Sequence, residues 1–479
     1  MKQIRLTIAV LLISFIARAQ NYTALNGSSY TGSVSVHNNP ASIVNTPSRW
    51  DITLLGFQDK HSTNFFTFHH YSLLSNPASS EYEITPGQFK RYGRINTNLN
   101  LLNTRIALNE RSAIAFGVNL KSYTLLRTSN YNFIDTLKNF AQFFAMNTGA
   151  SDMHLDITSS SWAEIYASYG RTLFDNEAGR LNAGITVKAN RGLSGIFGRL
   201  TGVNFNTNLL TDPATYTITS GQPDFGYSSN FDHWDNNKGF GQNFGHFASF
   251  TESGASMDIG LEYLIKTQAL AAPGEKESYF DYDWKFGLSF LDLGYGQYQF
   301  GKYSTAAASV LPNVTDQRLD QAFDSTVNNI SAFKDSLSAL YLYSGTYAGK
   351  YRINHPARVV LNIDHFITGA FFVNADLSLD ISSAPIKNNF RVSDLNLLTI
   401  TPRWETYKTG FYMPVYYNNL NQLWVGGAVR VGPVLLGVHN WSNIFSKNKI
   451  NRGGGYIALI LHAKDLTGSK GDKRLDCPR

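Results

Sequence analysis

Leu181-Asn-Ala-Gly-Ile-Thr-Val-Lys-Ala-Asn190 carries two interleaved series of side chains. Leu181, Ala183, Ile185, Val187 and Ala189 make one; Asn182, Gly184, Thr186, Lys188 and Asn190 make the other. Successive side chains of a strand point to opposite faces, so this segment predicts a strand oily on one side and wet on the other. The same split recurs at Ile114/Phe116/Val118/Leu120, at Met257/Ile259/Leu261/Tyr263 and at Val373/Ala375/Leu377/Leu379/Ile381. A soluble sandwich shows such alternation too. The number and length of these segments, without the buried runs of a second sheet, favour an all-β fold: a transmembrane antiparallel β-barrel whose outer face meets lipid.

Working outward from this segment, fourteen such stretches are read: 49–58, 96–108, 112–126, 161–173, 181–192, 255–266, 283–293, 357–367, 370–382, 396–405, 410–418, 422–431, 434–441 and 454–463. The connections after the second, fourth, eighth, tenth and twelfth are tight, and those after the first, third, fifth and seventh are long. Short periplasmic turns alternating with long external loops is the layout of outer-membrane barrels, and it puts both chain ends in the periplasm. The connection after the sixth is longer than a turn, and the one after the eleventh is short for an external loop. A count between 12 and 16 therefore stays open.

Composition points the same way. Of 479 residues, 43% are hydrophobic and 14% aromatic but only 16% charged, against about a quarter in ordinary globular chains. Mean hydropathy is only −0.20, and no 18-residue apolar run occurs beyond the N-terminus, which argues against membrane-spanning helices. One cysteine excludes a disulfide scaffold, and the aromatic load disfavours disorder.

Residues 1–19 read as a secretory leader: Lys2 and Arg5, an apolar run from Leu6 to Ile16, then Ala17-Arg18-Ala19. Without it 38 basic face 35 acidic residues, and no basic run suggests nucleic acid. Residues 20–48 are small and polar and begin in the periplasm; they could fold into the barrel as a hatch. The barrel itself takes 49–464. A soluble tail, 465–479, carries Asp476-Cys477-Pro478.

If the apolar series faces lipid, the other series lines the lumen. Its acids are Asp51, Glu164, Asp258, Glu262, Asp364, Asp376, Asp380 and Glu405; its bases are Lys121, Lys188, Lys285, Arg358, Arg403 and Arg430. An ion-selective pore would show a ring of one sign. Near-balance predicts mutual pairing and contact with a plug.

Asn39-Pro40-Ala41 near the mature N-terminus, directly before the first strand of a barrel of about fourteen, resembles the long-chain fatty-acid transporter (FadL-like) superfamily. That superfamily includes barrel partners of the type IX secretion system and several uncharacterised outer-membrane families. The resemblance implies an outer-membrane location, a hatch and a hydrophobic cargo. Arg452-Gly453-Gly454-Gly455-Tyr456-Ile457-Ala458-Leu459 is similar to the signal read by the outer-membrane assembly machinery, though a terminal aromatic is missing.

Two long loops carry apolar residues at helical spacing: Phe133, Leu137, Phe140, Ala141 and Phe144, and Ile330, Phe333, Leu337, Leu340 and Tyr341. These predict either a hydrophobic groove at the mouth or a cap that packs on itself or on a partner. No catalytic constellation emerges. His69-His70 sits where the first strand meets a loop, Asp364-His365 point to opposite faces, Gly192-Leu-Ser194-Gly is too short a match to a nucleophile elbow, and Gly453-Gly454-Gly455 lies in a strand. The reading is therefore a non-enzymatic outer-membrane channel or transporter for a small hydrophobic molecule, with no cofactor and no metal. Its partners are outer-membrane lipid and either a hydrophobic ligand or an outer-membrane protein complex. The alternative is a closed barrel serving as scaffold in secretion or surface assembly. Pro402 and Pro414 mark where a wall strand could kink.

Overall fold

In the computed structural model the alternation becomes a closed wall. The structure describes residues 22–70, 72, 81–210, 214–235, 238–266, 282–383, 390–445 and 451–463; the expected leader (1–19) and tail (465–479, with Cys477) lie outside them. Fourteen antiparallel strands form the barrel. They are β1 (Trp50–Thr63), β2 (Gly87–Asn109), β3 (Ser112–Phe133), β4 (Met153–Asp175), β5 (Gly179–Asn208), β6 (Glu252–Ile265) and β7 (Trp284–Gln299). The second half is β8 (Arg358–Thr368), β9 (Phe371–Asp380), β10 (Leu397–Glu405), β11 (Thr409–Tyr412 with Val415–Asn418), β12 (Leu423–Val425 with Gly427–Val431), β13 (Val434–Val438) and β14 (Arg452–Gly453 with Gly455–His462). The ring closes on β1, where Gly56 stands opposite Ala458 of β14 on one side and Asn100 of β2 on the other. Each of the fourteen segments read from the alternation falls on one of these strands.

Closure leaves no unpaired sheet edge, the condition for backbone to sit in hydrocarbon. The outward series is exposed, with Ile165 at 66% and Val187 at 58%, while Asn182, Thr186 and Lys188 of the inward series are buried. In water so continuous an apolar surface would aggregate; lipid is the solvent it suits.

Six strands, β1 to β5 and β7, run five or more residues past the expected limits. Beyond Gly195, β5 continues as an outer hairpin with Thr215–Tyr227, pairing Ile196 with Tyr227 and Asn208 with Thr215. The region expected as loop over 193–254 is thus partly sheet, since polar alternating residues extend a ladder wherever a partner strand is supplied. The helical stripes are shorter than their spacing suggested. Asn139 accepts a hydrogen bond from the Gln142 amide (2.9 Å) and so starts a helix at Phe140–Met146. Phe133 therefore ends β3, and Leu137 lies in the turn between. The second helix, Ile330–Ser338, stops before Leu340, and Tyr341 opens a strand (Tyr341–Thr346).

Candidate functional site

The lumen is occupied by residues 22–48, wound into three short 3₁₀ turns: Thr23–Leu25, Gly32–His37 and Pro40–Val44. The last is built by the triplet. Asn39 is extended and its Oδ1 accepts from the Ala41 amide (2.9 Å), while Pro40 takes the first helical position, where its missing N–H costs nothing. The triplet rests on a smooth floor. Gly170, Gly184 and Gly260 stand in register across β4, β5 and β6. A methyl group on Gly184 would strike Pro40, one on Gly260 would strike Asn39, and one on Gly170 would come within 2.8 Å of Ile43. The Asn39 amide also donates to the Leu261 carbonyl (2.9 Å). Glycine in a strand interior marks close approach of another backbone, a signal present in the sequence but not used.

Wall charges of both signs hold this hatch. Lys285 donates to the Gly27 carbonyl (2.5 Å), Ser289 to that of Asn38 (2.7 Å), Arg358 to that of His37 (3.3 Å) and Arg403 to that of Gly27 (3.3 Å). Arg105 binds the carbonyls of Ile43 (2.5 Å) and Ser48 (2.7 Å). From the other side Asp51 accepts from the Ser33 amide, Asp376 from Asn26, and Glu405 from Ser28 (2.7 Å). A cavity of about 30 Å³, room for one or two waters, lies along the seam between Asn26, Asn38 and Asn39 of the hatch and Glu262, Lys285 and Asp376 of the wall. Asn103 donates to His37 Nε2 (3.1 Å), and burial, with Lys121 and Lys188 nearby, pushes the His37 pKa down to about 3. The imidazole is therefore neutral.

The wall charges also pair with one another. Lys121 bridges Glu164 (3.0 Å) and Asp292 (2.9 Å); Lys188 bridges Asp258 (2.7 Å) and Asp292 (2.7 Å). Arg403 binds Asp364 (2.8 Å) and Glu405 (2.9 Å), and Glu262 accepts from Asn182 (3.3 Å). Arg430 instead clamps the turn after β10, donating to the carbonyls of Thr406 (2.5 Å) and Tyr407 (3.0 Å). Asp292, the hub, was missed because a bulge between Phe290 and Leu293 reverses the inward parity of β7; its own φ is +54°. Asp394 was missed because it belongs to a connection. The segment after β9 dips into the lumen, where Asp394 accepts from Lys60 (2.8 Å), Asn96 (2.8 Å) and Arg358 (3.5 Å).

Above this belt the lumen turns aromatic. Tyr123, Trp162, Phe197, Tyr298 and Tyr351 form a buried cluster joined by Phe390, whose ring lies 4.0 Å from that of Phe197. His355 stacks on Trp162 at 4.0 Å. Farther out, Phe140, Phe144, Leu340 and Tyr341 come together with Met153, Tyr216, Ile218 and Val314 in one packed core. Phe333 joins its margin through Phe323 (5.7 Å), and Leu337 is buried on its own helix. Phe133 lies instead beside the Arg91 guanidinium (5.8 Å), and Leu137 is only half-buried. Of the ten stripe residues, Phe140, Ala141, Phe144, Leu340 and Tyr341 thus pack in one cap core and Leu337 is buried, while Ile330 and Phe333 stay exposed at 44% and 38%. Pro414 splits β11, and Gly426 splits β12 opposite it, yet the Gly426 amide still reaches the Pro414 carbonyl (2.8 Å), so the wall is kinked there and not open.

A model described as a family of unknown function (DUF5723) matches residues 40–438. The chain belongs to that family. The match begins at Pro40, inside the hatch turn, and ends with β13. No curated protein matches the chain. Among solved structures, the TbuX toluene transporter of Ralstonia pickettii is similar at 11% identity and a TM-score of 0.38, over 91% of this chain and 95% of that one. A loop-deleted TodX monoaromatic hydrocarbon channel aligns at 11% and 0.39, over 93% and 98%. A FadL homologue of Pseudomonas aeruginosa aligns at 10% and 0.37, over 91% and 95%. With agreement this loose, what this DUF5723 member does is argued from its own residues: a plugged polar lumen, an aromatic layer above it and a packed cap.

Proposed function

We propose that this barrel is an outer-membrane channel or transporter for a small hydrophobic molecule, closed at rest and opened by movement of its hatch. One observation carries the reading: the lumen is filled by a separate segment, bound by hydrogen bonds from wall side chains and packed through Leu25, Val34, Val36 and Ile43 on two small apolar patches of the wall. A fourteen-stranded wall is too wide to be filled by its own side chains; about eight strands is the size at which they suffice. The filler runs directly into β1, and a cavity of about 30 Å³ lies along its seam with the wall. The aromatic layer at Tyr123, Trp162, Phe197, Tyr298 and Tyr351 lies above the hatch on the path a hydrophobic molecule would take, and the kink at Pro414 and Gly426 supplies a second weak point in the wall. The turns face the periplasm and the cap the outside. The packed cap favours the second reading, a scaffold or partner barrel in secretion or surface assembly, because it presents a formed surface.

A lock tests the choice. In a Cys477→Ser background, a Ser33→Cys/Thr53→Cys pair places one thiol on the hatch and one on the wall, at positions whose hydroxyls lie 2.8 Å apart. In proteoliposomes, uptake of a labelled monoaromatic hydrocarbon or fatty acid should stop when the pair is oxidised and return on reduction. Uptake equal in both states would remove the hatch from the pathway; no uptake in the wild type would favour the scaffold.

A further inference from the structure

The helix Phe240–Ser249 has no charged residue, an unusual composition for a short helix on a water-exposed loop. Phe244, Phe247 and Ala248 fall on one side of it, and Gln242, His246 and Ser249 on the opposite side. Phe247 packs on Phe231 (5.4 Å) and Trp234 (6.2 Å), and His233 stacks on Phe250 (3.5 Å). Asn243 fastens the base by donating to the carbonyls of Asp235 (2.8 Å) and Lys238 (2.9 Å). These contacts leave much aromatic surface exposed: Phe244 is 54% exposed, Phe250 44%, Trp234 43% and Phe231 37%.

The height of this group above the wall can be read from the strands. The outward series of β5 is apolar up to Ala189 and turns polar at Arg191, which bonds Thr251 (3.1 Å) and Ser253 (2.9 Å) at the start of β6. Ser161 and Ser122 continue the same rim on β4 and β3. Phe250 is one residue beyond Thr251, so the helix ends at the rim. Its supporting turn, Ser229–His233, follows Ser228, whose amide bonds the Gly195 carbonyl (2.8 Å). Gly195 lies four residues above Arg191, roughly 10 Å higher at about 3.3 Å per residue and a tilt near 40°. That interval is close to the headgroup zone of a bilayer, about 5–8 Å on each side of the hydrocarbon.

We infer that Phe240–Ser249, with Trp234 and Phe250, is an interfacial helix that inserts aromatic side chains into the outer-leaflet lipid beside β5 and β6. The occupant is lipid because the exposed rings continue the lipid-facing wall across its polar rim. Aromatic rings at headgroup level with an uncharged helix are the chemistry of an interfacial anchor.

Nitroxide labels test it. In full-length Cys477→Ser protein, Phe244→Cys, Phe250→Cys and Gln242→Cys are labelled singly and reconstituted in phosphatidylethanolamine–phosphatidylglycerol vesicles; heat-modifiable migration checks that each has folded. The ratio of collisions with oxygen to collisions with a water-soluble nickel chelate should be severalfold higher at 244 and 250 than at 242. Equal ratios at the three sites, or protection of 244 and 250 from both quenchers, would overturn the inference. The unlabelled chain gives a second readout: the emission lost in Trp234→Phe should be quenched by brominated lipid and spared by iodide, and the reverse would reject lipid contact.

Discussion

At the turn end, residues 22–48 fill the lumen through hydrogen bonds from named wall side chains, with apolar contacts at Leu25, Val34, Val36 and Ile43 beside them; at the loop end, the lumen is covered almost wholly by rings and aliphatic side chains that touch one another. Lys285, Ser289, Arg358, Arg403 and Arg105 each reach a particular carbonyl of the hatch, whereas Phe140, Phe144, Met153 and Tyr216 share a packed core. Hydrogen-bonded closure depends on position, since a donor moved by one residue faces lipid. Apolar closure depends on volume, which tolerates exchange among residues of similar size. A segment meant to leave and return is better held the first way, because its polar partners are water-compatible once separated. A cap meant to stay is better held the second way.

Breaking the polar side should cost most. Lys188→Met leaves Asp258 and Asp292 buried with one cation fewer, and loss of one member of a buried pair costs about 3–5 kcal/mol. The expected outcome is loss of heat-modifiable migration at temperatures where the wild type keeps it. Lys188→Met/Asp258→Leu, which removes charge from both sides, should recover most of the loss. If the double variant is no better than the single, the network is not what holds this level of the barrel.

The apolar side should break locally. Phe144→Ala empties a buried site and should cost about 3 kcal/mol, the lower end for deleting a buried ring. The cost should fall on the cap, read as faster protease nicking of the outer loops, with the unfolding temperature of the wall unchanged. A fall in the wall's own unfolding temperature would mean that cap and barrel unfold as one unit.

What the sequence allowed to be read follows from the same contrast. The strands were legible because lipid on one face and hydrogen-bonding groups on the other impose a period of two on every segment, including Leu181–Asn190. Asn39-Pro40-Ala41 was legible as a motif, and the turn it builds is local, with Asn39 as its cap and Pro40 at its first position. Asp292, Lys60, Arg105 and Asp394 were not assigned to the lumen. A bulge in β7, another in β2 between Leu101 and Thr104, an underestimated β1 and a dipping connection each break the parity that assigned faces. The glycine floor needed the register of three strands, which alternation does not supply. The helical stripes were read by spacing alone, so the Asn139 cap that ends the run at Phe133 and Leu137 went unseen.

Acid should separate the two ends further. His37 in the hatch and His355 near the aromatic layer are each pushed down to about 3, mainly by burial. The unfolded chain takes up these protons near pH 6.5, before the folded one does. Their stabilising contribution is thus complete above about pH 6.5 and is lost as pH falls toward 3, by roughly 2–3 kcal/mol per histidine at pH 4. Unfolding temperature measured from pH 7 to 4 should fall, and His37→Gln should flatten part of that slope while keeping a hydrogen-bonding side chain beside Asn103. His355→Gln should flatten another part. If His37→Gln leaves the slope intact, the hatch does not unfold with the barrel.

The smallest effect sharpens the contrast by removing a charge from outside it. Arg127 of β3 and Asp156 of β4 form an ion pair at 3.0 Å, with side chains 43% and 30% exposed. Its geometry is as short as that of Lys121 with Glu164, but water and salt screen it and two mobile side chains must be ordered to make it. Arg127→Ala should therefore change stability by less than about 0.5 kcal/mol, within the scatter of thermal unfolding in detergent. The difference between this variant and Lys188→Met would then be due to burial, because both remove one cation from an ion pair of similar length. A large effect of Arg127→Ala would instead place the outer rim, and not the plugged lumen, at the centre of the barrel's stability.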